Sequence, residues 1–169
     1  MDEVERLIRA FRTQATAAVV WKLDVLMDLE HLHDPRVVPF LVELLQDRRE
    51  PTAVLMRVVR LLRTCSCPVG TRASVARALT EALSRAGSPE LRVDAALALA
   101  EYTDVSGVPT ALGVLAMDAG EPLDLRYSAF TSLQRTGPTL ESAGLLRGLV
   151  ADEALGPSAR SLLASWQLQ

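Results

Sequence analysis

The chain holds two histidines and two cysteines, each pair written with a single residue between its members: His31 and His33, then Cys65 and Cys67. Neutral imidazoles and thiolates are ligands of tetrahedral zinc, so a meeting of the two pairs would supply a His2Cys2 set. The offset from His31 to Cys65 is 34 residues, close to the period of a helix-pair repeat. Stacked repeats would bring the two segments side by side. Against zinc stand the spacings, since neither His-x-His nor Cys-x-Cys is the usual structural-zinc arrangement. Neighbouring packed helices also lie roughly 10 Å apart. The preferred reading is loop histidines and small, partly buried thiols, with no metal and no cofactor. Cysteines this close in sequence cannot staple distant parts of a fold, which fits a reducing compartment.

Other catalytic constellations lack their residues. No Gly-rich phosphate loop, Gly-x-Ser-x-Gly elbow or His-Glu-x-x-His motif occurs. The chain is therefore not expected to be an enzyme. Charge offers a different chemistry. Residues 1–50 carry 7 basic and 10 acidic groups, residues 51–85 carry 6 and 1, and residues 86–169 carry 5 and 10. A basic island thus lies between acidic flanks, with Arg57, Arg60 and Arg63 at helical spacing and Arg72 and Arg77 following. It offers an alternative function, binding of a polyanion or nucleic acid. Against nucleic acid, the acidic flanks repel phosphates, Lys22 is the only Lys, and no aromatic residues interleave the island for base stacking.

The elements that must position these residues follow from composition and periodicity. Nearly half the residues are apolar, mostly Ala, Leu and Val, and aromatics are scarce, which favours packed helices. Asp34, Val38, Pro39 and Leu45 recur 70 residues on as Asp104, Val108, Pro109 and Leu115, two periods of about 35. Prolines 51, 89, 122 and 157 punctuate the chain at gaps of 38, 33 and 35 residues. Proline suits the first turn of a helix, where its fixed φ is right and its missing N–H is not needed. Between the prolines the apolar spacing is helical: Val37, Leu41, Leu44 and Leu45 share a face, as do Val75, Leu79, Ala82 and Leu83, and Val108, Leu112, Leu115 and Ala116. Helices are expected over 3–13, 15–31, 36–47, 52–64, 71–86, 89–102, 108–119, 122–136, 139–152 and 157–167. They form a single domain: a capping helix at 1–14, pairs at 15–50, 51–87, 88–120 and 121–155, and a closing helix at 156–169.

The stretch Ser88-Pro-Glu-Leu-Arg-Val-Asp-Ala-Ala-Leu-Ala-Leu-Ala resembles the Asp-Pro-x-Val-Arg-x-x-Ala-Ala-x-Ala-Leu helix of the bacterial short HEAT repeats, the variety also found in phycobilin lyases. Asp34-Pro-Arg-Val-Val-Pro-Phe-Leu-Val-Glu-Leu-Leu-Gln-Asp resembles that family's second helix. The resemblance covers roughly residues 15 to 167 and departs most in the second pair, where a Cys-Ser-Cys-Pro-Val-Gly loop is unusual and the Arg expected after Pro51 is displaced to Arg57. It implies an all-α solenoid of antiparallel helix pairs, armadillo-like in its superhelix, and a tendency to bind other proteins. HEAT-like DNA glycosylases and lyases are the enzymatic precedents. Trp21 and Trp166, at opposite ends of the chain, do not assemble the aromatic lesion site that a glycosylase needs.

A solenoid presents the second helices of its pairs along an inner face. With core positions removed, that face holds Val42, Glu43 and Gln46, then Arg77, Glu81 and Ser84, then Gly113, Val114 and Met117, then Gly144, Arg147 and Gly148. It runs from polar to small and apolar. Its glycines either admit a partner helix or let the protein's own helices pack closely. Arg92, Arg126 and Arg160, each three or four residues after a boundary Pro, form one row, read as ion pairs and carbonyl caps before any anion ladder. The expected function is a non-catalytic adaptor or scaffold holding a protein partner on the inner face. No apolar run is long enough to span a membrane, and the acidic start is no secretory signal, so a cytoplasmic location is expected.

Overall fold

The computed structural model describes residues 1–14, 16–47, 49–84 and 88–167. Among them are ten α-helices, two short 3₁₀ turns and no strand. The helices are α1 (Glu3–Thr13), α2 (Val19–Leu32), α3 (Val37–Gln46), α4 (Thr52–Thr64), α5 (Arg72–Ser84), α6 (Pro89–Ala98), α7 (Val108–Met117), α8 (Leu123–Gln134), α9 (Leu140–Leu149) and α10 (Gly156–Ser165). Each expected helix is present. The expected start at 15 and the expected end at 86 fall outside the described residues. The helix expected over 89–102 tightens after Ala98 into a 3₁₀ turn, Leu99–Tyr102. The start of α2 lies later than its alanines suggest, because residues 16–18 carry the reversal out of α1.

Local signals set most of the ends. The Asp2 carboxylate accepts from the Glu5 N–H at 2.9 Å and caps α1, whose Val4, Leu7 and Phe11 form its buried stripe. Ser88 caps α6 ahead of Pro89, and Thr139 and Ser142 close a reciprocal capping box on α9. Pro51 and Pro122 stand immediately before α4 and α8, and Pro157 is in the first turn of α10. The α2–α3 corner is made by His33 in the left-handed region (φ 49°), and the α6–α7 corner by Gly107 (φ 90°).

The helices pack in two successions. α2, α4, α6 and α8 touch in order, and α3, α5, α7 and α9 touch in order, while α3 meets α4, α5 meets α6 and α7 meets α8. α1 packs on α2, and α10 on α9. All the apolar residues assigned to shared faces in the sequence are buried between the rows. Trp21 and Trp166 lean on this core at its two ends. Among the described residues no helix is long and apolar enough to cross a membrane.

Candidate functional site

The corner that joins α2 to α3 meets the corner that joins α4 to α5, which meets the α6–α7 corner on its other side. Leu29, Val38, Leu41 and Leu61 form the apolar floor of a cleft of about 350 Å³. Glu30, His33 and Asp34 line it from the first corner, and Thr64, Cys65 and Ser66 from the second. Asp34 is tied by the Arg36 guanidinium, whose hydrogen bonds lower its carboxyl pKa to about 2. The third corner supplies Tyr102, which is buried and donates its hydroxyl to the Leu62 carbonyl. That hydroxyl lies 3.5 Å from Cys65 Sγ and 3.4 Å from Cys67 Sγ. Burial pushes the phenol up to about 12, so it keeps its proton. The Arg72 guanidinium covers the Tyr102 ring at 4.8 Å and bonds the Asp104 carboxylate and the Glu101 carbonyl.

The packing brings the His33 and Cys65 segments together on one cleft. Among the described residues no group of three or more His, Cys, Asp and Glu is placed to hold a metal ion. His31 instead donates from Nδ1 to the Met27 carbonyl at 2.8 Å, and His33 forms the left-handed helix end. Cys65 and Cys67 are joined in a disulfide, which corrects the reading of two separate thiols. Tyr102 escaped the sequence reading. It follows Cys67 by 35 residues, so the period that relates His31 to Cys65 points to it as well.

The arginine row is structural. Arg92 Nε donates to the Leu83 carbonyl at 2.7 Å, and both its terminal nitrogens reach Glu121 at 2.8 Å. Arg126 repeats this with the Ala116 carbonyl and Asp152, and Arg160 with the Val150 carbonyl. Each guanidinium caps the end of the preceding helix, and the first two also hold an acid ahead of a later helix, Glu121 before α8 and Asp152 before α10. The first rung is Lys22, the fourth residue of α2, whose ammonium meets Glu50 at 2.8 Å with both side chains almost fully buried. At the α4 position of the row Leu55 enters the core instead.

The basic island is divided. Arg57, Arg60 and Arg63 are exposed on α4, in one row, whereas Arg77 is exposed on α5, in the other. Arg60 faces Asp94 at 3.6 Å, and Arg72 is engaged by Asp104. Lining α3, α5, α7 and α9, Glu43, Gln46, Arg77, Glu81, Ser84, Val114, Met117, Gly144, Arg147 and Gly148 are exposed, and Val42 is half-buried. Gln46 bonds Glu81 at 3.3 Å, Arg12 bonds Glu43 at 2.6 Å, and Thr110 bonds Glu141 at 2.6 Å, so the polar part is cross-linked. Gly113, expected on this face, is buried: a Cβ there would lie 2.6 Å from Leu145 Cδ2. A Cβ at Gly148 would lie 3.0 Å from Met117 Sδ, whereas Gly144 opens on empty space. Two of the three glycines thus serve the close approach of α7 and α9. Leu140, which the sequence reading did not select, is 94% exposed on α9, one turn before Gly144.

Searches against family models, curated proteins and solved structures found no match to this chain.

Proposed function

We propose that the chain is a HEAT-like α-solenoid that acts as a non-catalytic scaffold, holding an amphipathic helix of a protein partner against the exposed side of α7 and α9. The observation that carries this reading is the cluster of exposed apolar side chains there. Val114 is 58% and Met117 37% exposed on α7, and the adjoining α9 exposes Leu140 and the open Gly144. Large apolar side chains gathered on one surface mark interaction sites more often than scattered ones do. Thioether and aliphatic groups accommodate a helix laid across them. Arg147, exposed on the same helix, favours a partner that carries a carboxylate at the edge of its apolar stripe.

The test compares proteins recovered with the wild-type chain and with a Val114→Glu, Met117→Glu double variant in the source cells. A partner lost from the double variant but kept by an Arg57→Glu, Arg60→Glu, Arg63→Glu variant supports the reading. Unchanged capture by a folded double variant rejects it. Capture lost only from the arginine variant, with steep salt dependence, moves the function to the α4 polyanion surface.

A further inference from the structure

The most chemically distinctive place in the molecule is the corner where Cys65, Cys67 and Tyr102 meet beside the cleft. Three features coincide there. The disulfide closes across a single residue, a sequence separation of 2. Chain-entropy stabilisation grows with loop length, so a loop this short gains the least from being closed, and it joins no distant elements. Both cysteines are half-buried, and Cys65, but not Cys67, lines the cleft, which offers an incoming sulfur a route to Cys65. The Tyr102 hydroxyl donates to the Leu62 carbonyl and stands within hydrogen-bond reach of both sulfurs, so a turn of its O–H bond aims the proton at either sulfur.

We propose that Cys65 and Cys67 form a reversible thiol–disulfide exchange site for low-molecular-weight thiols and disulfides, with cationic aminothiols preferred. In the oxidising direction, Cys65 thiolate attacks one sulfur of a small disulfide RSSR. A Cys65–SR bond forms, the R–S–S–R bond breaks and RS⁻ leaves. Cys67 thiolate then attacks Cys65 Sγ, the Cys65–Cys67 bond forms and the second RS⁻ leaves. The two protons of the cysteine thiols end on two RSH, and two electrons pass from the protein to RSSR. Reduction by two thiols is the reverse. Tyr102 donates to the sulfur that bears negative charge, which favours the attacking or leaving thiolate. Its phenol keeps the proton this requires. The preference for cations follows from the cleft wall, which Glu30 and Asp34 line together with Cys65. Arg36 offsets the second of these, leaving Glu30 as the main repulsion for an anionic thiol.

The experiment follows the reduced, full-length chain with cystamine and with oxidised glutathione, reading masses after alkylation quench. The expected result is re-formation of the Cys65–Cys67 disulfide, about tenfold faster with cystamine than with the anionic glutathione disulfide at low salt. Cys67→Ser should accumulate a mixed disulfide on Cys65, and Cys65→Ser should react at Cys67 about tenfold more slowly. Tyr102→Phe, which keeps the ring in the core, should raise the thiolate pKa read at 240 nm and slow exchange about tenfold. Equal rates at the two cysteines, no preference for cystamine, or an unchanged pKa in a folded Tyr102→Phe variant would overturn the proposal. These readouts need no protein partner, so they stand or fall separately from the scaffold reading.

Discussion

Among single residues, Lys22 is the most consequential. Its side chain and that of Glu50 are 2% and 9% exposed, and the ammonium also lies 5.2 Å from the Phe11 ring centroid, so the pair is held in a largely dry place where each charge supports the other. Lys22→Ala removes the ammonium bonded to the nearly buried Glu50 carboxylate and should cost about 3 kcal/mol, read as a lower urea midpoint at unchanged slope. A Lys22→Met, Glu50→Gln double variant should recover most of that loss, since a neutral pair carries no such penalty. The later rungs are legible in pH. Arg92 holds the Glu121 carboxyl below its ordinary range, and the Leu155 N–H followed by Arg126 does so for Asp152. Both titrate lower in the fold than in the unfolded chain, where the reference values are 4.5 and 3.8. The stability they contribute is complete above those unfolded values and is lost as pH falls through the folded ones. Glu121→Gln should therefore be less stable than wild type near neutral pH yet lose less stability on going to about pH 3, as urea midpoints at the two pH values will show. Arg92, Arg126 and Arg160 are visible in the sequence as a row because each keeps its distance from a proline. Lys22 is not, because no proline precedes it and its residue type differs.

At the level of the element, glycine separates propensity from packing. Gly144 lies inside α9, and a Cβ added to it would meet nothing within 4 Å, so Gly144→Ala should stabilise the protein by about 1 kcal/mol through helix propensity alone. Gly156 starts α10 with its missing Cβ 2.6 Å from the Val150 carbonyl oxygen, a backbone atom that cannot step aside. Gly156→Ala should instead destabilise by about 2 kcal/mol, and thermal unfolding of the two variants should move in opposite directions. Sequence spacing treats Gly113, Gly144 and Gly148 alike, because a pattern of types records which face a residue occupies but not what lies opposite it. For the same reason the helices and their buried faces are readable from Leu, Val and Ala periodicity, while the burial of Gly113 under Leu145 is not. The Cys–Tyr corner falls between these cases. Its period is in the sequence, but the chemistry depends on three loops meeting, which only packing decides.

The whole molecule adds a consequence of connectivity. α6 is contacted by α4, α5 and α8, and α8 by α6 and α7, whereas α1 rests on α2 with Phe11 reaching Phe40 of α3, and α10 packs on α9. If the helices stack as a one-dimensional array, each pair is stabilised by its own packing and by its immediate neighbours, and a terminal helix lacks one neighbour. Opening should then begin at the ends and propagate inward, with Arg92–Glu121 resisting it by tying the third pair to the fourth and Arg126–Asp152 by tying α8 to the segment that leads into α10. Native-state amide exchange should show protection greatest in α6 and α8 and falling toward α1 and α10. Glu121→Gln should weaken protection in α8 more than in α2. A closed bundle, in which every helix shares one central core, would give nearly uniform protection, and that outcome would remove the basis for a solenoid. A graded profile would also make the α7 side of the exposed α7 and α9 face firmer than its α9 side, since α9 is the last helix before terminal α10.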